Sequence, residues 1–87
     1  MDNTLKEVKR VFMMFLENEN IVRQSLEITD LQVTKENNQI IEITFTLCRP
    51  GMLIGKGGST ISKLEHYMSK IFDKQIRLLI VESKLWL

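Results

Sequence analysis

The chain is poor in the residues that specialised chemistry uses. Its 87 residues include one cysteine, one proline, one tryptophan, one tyrosine and one histidine. A lone cysteine, Cys48, excludes an internal disulfide and fits a reducing compartment. His66 has no second histidine and no cysteine cluster with which to share a metal, so no metal site is expected. The longest apolar run, Val11 to Leu16, is far below the ~20 residues that cross a bilayer. The opening Met-Asp-Asn-Thr-Leu-Lys-Glu is interrupted by acidic residues and leads into no apolar core with a cleavage site, unlike a secretory signal. These absences set the expectation of a soluble, cytoplasmic protein without membrane contact. The length allows one core, so residues 1–87 are read as a single domain, with an N-terminal helix and connection over 1–26 and a tail over 83–87.

What is present is unevenly distributed. All four glycines and the single proline fall between Pro50 and Gly58. The net charge is only +1, yet residues 1–48 carry five Lys/Arg against eight Asp/Glu, while residues 49–77 carry six against two. The cationic excess therefore coincides with the glycines, an asymmetry that points to an anionic ligand.

Apolar spacing predicts the elements around this stretch. Residues 4–18 read as a helix with an apolar stripe of Leu5, Val8, Phe12, Phe15 and Leu16, and Thr4 with Glu7 has capping-box spacing. Val11, Met13 and Met14 lie off that stripe, which makes the helix either buried on several sides or a partner surface. Residues 19–26 read as a polar connection. Leu26–Lys35 reads as a strand, Glu36–Gln39 as an Asn-containing turn, and Ile40–Cys48 as a second strand alternating Ile41, Ile43, Phe45 and Leu47 inward. Met52–Ile54 allows one helical turn. Ser59–Phe72 has a helical period with Ile61, Leu64, Met68, Ile71 and Phe72 inward, and Ile76–Glu82 reads as a third strand. Two strands joined through a helix run parallel when adjacent. The expected fold is α+β, a three-stranded mixed sheet with helices packed on one face.

The glycine stretch fails two familiar phosphate-loop patterns. Gly51 precedes Gly55-Lys56 by too few residues for a nucleotide-hydrolase loop, and Gly57 replaces its metal-holding hydroxyl. Gly55-Lys56-Gly57 followed by Gly58, Ser59 and Thr60 also misses the dinucleotide spacing. A helix beginning near Gly58 still offers backbone amides and the positive end of its dipole, and Lys56 adds a full charge. Lys63 and Lys70, seven apart, would continue a positive line along the helix. On composition alone the alternative stands equally: glycines that only cap and turn, and lysines on a solvated face.

Leu53-Ile54-Gly55-Lys56-Gly57-Gly58-Ser59-Thr60-Ile61 resembles the signature of the KH (K-homology) domain, an apolar pair, Gly-x-x-Gly, two variable residues and an apolar one. Arg49-Pro50-Gly51 before it and Ser62-Lys63-Leu64 after it are similar to the KH domain of the bacterial small-subunit ribosomal protein that carries one. The element order, with a helix and strand ahead of the motif, is that of the type II arrangement over essentially the whole chain. The resemblance implies non-catalytic binding of single-stranded RNA, with single-stranded DNA as a further candidate, and no cofactor. It assigns Gly55, Lys56, Gly57 and Gly58 to a loop clamping the nucleic-acid backbone, and Ile54 and Ile61 to the floor under the bases. Ser59 and Thr60 fall in the variable slots as hydrogen-bond donors, and Lys63 takes a place from which a cation reaches phosphate. Gly57 stands where the family often has a polar or basic residue, which implies modest affinity.

The remaining features carry less. His66 reads as a solvated helix residue or an occasional RNA contact, Cys48 as an inert side chain, and Glu65 with Asp73 as no acid–base pair. No catalytic constellation is present. Trp86 is either docked on the sheet or part of a partner contact. A second reading makes the domain a protein-interaction or assembly module, through Val11, Met13, Met14, Leu79, Val81 and Leu85-Trp86-Leu87, with a homodimer as one form of it.

Overall fold

A computed structural model describes residues 2–83 of the chain. Helix α1 (Asp2–Asn18) precedes a 3₁₀ turn (Arg23–Leu26), strands β1 (Ile28–Glu36) and β2 (Ile40–Leu47), a short helix α2 (Pro50–Ile54), helix α3 (Ser59–Phe72) and strand β3 (Gln75–Glu82). The three strands form one sheet in the order β1-β2-β3, with β1 antiparallel and β3 parallel to the central β2. This is the mixed α+β sheet that the apolar spacing implies. No helix among the described residues is long and apolar enough to cross a membrane.

Helix α1 buries Val8, Val11, Phe12, Phe15 and Leu16, residues three or four apart that share one face. Its end is set by Asn20, which adopts a left-handed φ of 56°. The Ile21 N–H donates to the Leu16 carbonyl at 2.9 Å and the Asn20 N–H to the Glu17 carbonyl at 3.1 Å, a Schellman closure. The β1–β2 turn is held by Asn37, whose Oδ1 accepts from the N–H groups of Gln39 at 2.8 Å and Ile40 at 3.0 Å. Strand β2 is flanked on both sides and sends Ile41, Ile43, Phe45 and Leu47 into the core, each at most 1% exposed. The Phe45 ring packs on that of Phe12 with centroids 5.0 Å apart. Leu53 from α2, and Leu64 and Met68 from α3, complete the same core.

Several expectations need correction. Thr4 caps nothing: it lies inside α1, and its hydroxyl donates to the Glu36 carboxylate at 2.9 Å, a partner 32 residues away. Val11 is fully buried and offers no partner surface, because it sits three residues from Val8 and four from Phe15 on the core face. Met13 and Met14 are exposed, so of the residues off the stripe only Val11 is buried. Leu26 does not begin a strand but closes the 3₁₀ turn, with its side chain fully buried. Ile71 faces outward near the end of α3, while Leu64 and Met68 take the buried positions. The Leu85-Trp86-Leu87 tail lies outside the described residues.

Candidate nucleic-acid interface

The glycine stretch hangs from the end of the central strand. The Cys48 N–H donates to the Glu27 carbonyl at 3.1 Å, and the Arg49 guanidinium meets the Glu27 carboxylate at 2.8 Å. Pro50 then opens α2 at a position where its fixed φ and missing N–H are favourable. The single-turn α2 stops at Gly55, whose N–H donates to the Gly51 carbonyl at 2.9 Å.

Gly55 has φ 79° and ψ 175°, a region essentially closed to residues with a Cβ. A Cβ placed there would collide with the Thr60 Oγ1, and would lie 2.8 Å from the Thr60 Cβ and 2.9 Å from its backbone nitrogen. The backbone of α3 therefore presses on this glycine. Lys56–Gly58 forms one 3₁₀ turn, with Gly57 left-handed at φ 61° and ψ 21°. A Cβ at Gly57 would meet nothing within 4 Å. Gly58, also left-handed, is the N-cap of α3 and has no side chain to satisfy the first amides.

The loop closes on itself. The Gly58 N–H donates to the Gly55 carbonyl at 3.1 Å, and the Ser59 N–H to the Lys56 carbonyl. Two amides near the helix start are thus engaged internally, fewer than the glycine count suggests for an anion. Lys56 and Gly57 stand exposed at the tip, and Lys56 has no carboxylate partner among the described residues. Ser59 is exposed, whereas Ile54, Gly55, Gly58, Thr60 and Ile61 are half-buried beneath the tip. These eight consecutive residues form one surface made of a cationic tip on a partly apolar base.

Lys63 stands exposed further along α3. Its ammonium lies 3.4 Å from the Glu19 carboxylate, just past the end of α1. It lines a shallow groove of about 230 Å³ between α1 and α3, together with His66, Tyr67 and Lys70. Tyr67 packs there against Phe15, with ring centroids 5.6 Å apart and ring planes tilted by 57°. Residue spacing carries no signal for the roles of Glu19 and Glu27 or for the contact of Thr60 with Gly55, because each depends on a contact made only in the folded chain.

The KH domain family model matches residues 15–86, and the chain belongs to this family. Similar proteins include the small ribosomal subunit protein uS3 of Flavobacterium johnsoniae, 39% identical over 46 residues that are 53% of this chain and 18% of that protein. The uS3 of Parabacteroides distasonis is 40% identical over 52 residues, 60% of this chain and 21% of that protein. That of Streptococcus thermophilus is 33% identical over 57 residues, 66% and 26% respectively. The matched segment therefore spans about a fifth to a quarter of the relatives' length.

Proposed function

We propose that this domain binds single-stranded RNA, without catalysis, through the surface built by Ile54–Ile61. The observation that carries the reading is the loop itself: two left-handed glycines present an exposed Lys56, without a carboxylate partner among the described residues, at the start of α3. Backbone without side chains lets a phosphate come close, and the helix dipole favours its charge. Gly55–Gly58 would clamp the nucleic-acid backbone, and Ile54 and Ile61 would support the bases. Ser59 and Thr60 would donate hydrogen bonds, and Lys63 would add a second cation. Membership of the KH family supports the RNA reading, as does the similarity to small ribosomal subunit proteins. Single-stranded DNA is the competing ligand, a single 1–87 domain the unit, and the cytoplasm the compartment.

With one cation at the tip, affinity falls in the weak range of about 10⁻⁴ to 10⁻⁶ M at physiological salt. The test is a Lys56→Asp, Gly57→Asp double variant, since aspartate tolerates the left-handed conformation at position 57. Fluorescence anisotropy with a labelled single-stranded RNA should show at least a tenfold loss, while circular dichroism stays native. Undiminished RNA affinity in the folded double variant refutes the proposal. The exposed Met13, Met14, Leu79 and Val81 favour a second reading, an assembly module, in which RNA contact is weak or lost.

A further inference from the structure

The two edges of the sheet are not equivalent. Edge strand β1 has two register irregularities, between Ile28 and Asp30 and between Val33 and Lys35. Asp30 turns its carboxylate onto the Leu31 N–H at 3.0 Å, and Lys35 and Glu36 add charge. Bulges, charge and a blocked amide are devices that stop an edge from pairing. Edge strand β3 has no bulge and little charge. It follows β2 in unbroken register from Gln75 to Glu82, and Arg77 is the one charge between its ends.

The hydrogen-bond parity of β3 defines what its free side presents. The Gln75 N–H donates to the Gln39 carbonyl and the Ser83 N–H to the Leu47 carbonyl, both at 2.9 Å. In a parallel ladder alternate residues turn both backbone groups to the same neighbour. The odd-numbered residues of β3 therefore face β2, and Ile76, Leu78, Ile80 and Glu82 turn their N–H and C=O outward. The side chains alternate too: Leu79 and Val81, 41% and 47% exposed, lie on the sheet face away from the helices.

We propose that this edge pairs with the same edge of a second copy, antiparallel, about a two-fold axis at Leu79. Four outward residues centred on Leu79 are self-complementary. Leu78 faces the partner copy's residue 80, Ile76 faces residue 82, and the symmetric pairs repeat this, giving about eight hydrogen bonds at two per facing pair. Shifting the register by one pair either way leaves Ile76 or Glu82 unmatched. On the open face the axis sets Leu79 against its own copy and Val81 against the stem of Arg77, while on the helix face Leu78 meets Ile80. No like charges oppose each other: Arg77 faces Val81 and Glu82 faces Ile76. The edge is about 26 Å long at the usual rise, which is small against a standard interface, so the dimer is weak and concentration-dependent. The inference is independent of the RNA reading, and its test uses no RNA.

Sedimentation of the full chain should show monomer–dimer exchange between about 1 μM and 1 mM. Leu79→Lys should weaken the dimer at least tenfold and leave the thermal melt native, because position 79 is exposed. In a Cys48→Ser background, Leu79→Cys should form a covalent dimer under diamide, since residues at the axis sit about 4.5 Å apart, within disulfide reach. Val81→Cys should not, because its copies lie more than about 7 Å apart in this register. A monomer at every concentration overturns the proposal. So does a dimer that survives Leu79→Lys and fails to cross-link at 79, or one lost only when residues 84–87 are removed.

Discussion

Replacing Gly55 by alanine separates a glycine needed for geometry from one needed for access. At φ 79° and ψ 175° a side chain costs about 1–3 kcal/mol in backbone strain. The new methyl would also meet Thr60, whose Cβ and backbone nitrogen would be 2.8 and 2.9 Å away. Neither can swing aside, because both belong to the first turn of α3. Overpacking of this kind adds about 1–3 kcal/mol. The expected loss is about 2–6 kcal/mol, a large part of the roughly 5–15 kcal/mol that holds a domain together. Gly57→Ala is the control: also left-handed, but with open space around it, it should lose only about 1–2 kcal/mol. Gly57→Asn should lose less, since asparagine tolerates that region. Urea unfolding of the three variants, with equal m-values, measures the difference. If Gly55→Ala and Gly57→Ala fall within about 0.5 kcal/mol of each other, smaller than the strain term alone, the account of Gly55 is wrong.

Glu19→Gln removes the carboxylate that holds Lys63 and, as a partly exposed pair, should change stability by less than about 1 kcal/mol. If Lys63 reaches RNA, its release should raise affinity and steepen the log–log salt dependence by up to about one unit, whereas an unchanged slope puts Lys63 off the RNA path. Phe45→Ala, in the middle of the central strand, should lose about 3–5 kcal/mol in denaturant melts through the cavity left against Phe12; a loss under about 1 kcal/mol would mean that the core refills the site.

Much of the fold is legible in residue spacing, and what is not has a physical reason. Helix α3 begins and ends where the pattern puts it, because Gly58 breaks the chain before Ser59 and Asp73 turns left-handed after Phe72. Strand β2 reads cleanly because it is flanked on both sides and buries one face completely. Its parallel pairing with β3 follows from the helix between them. Thr4 misleads because capping-box spacing describes a local motif, and Glu36 competes for the hydroxyl from a distant strand. Leu26 misleads because a buried leucine looks the same in a short 3₁₀ turn as at a strand start. In the candidate site the motif positions can be read directly. The pressure of Thr60 on Gly55, the internal use of the Gly58 and Ser59 amides and the tether from Glu19 to Lys63 cannot, since each depends on distances that only the folded backbone creates.

Internal closure of the loop also bears on how fast it could capture a ligand. Bonds from Gly55 to Gly51, from Gly58 to Gly55 and from Ser59 to Lys56 hold its shape with nothing bound. A loop already ordered gives up little conformational entropy on association. An anion would then meet a finished site, with no folding step between encounter and capture. Its arrival would be governed by diffusion in the field of Lys56, and ionic strength would act first on the association rate.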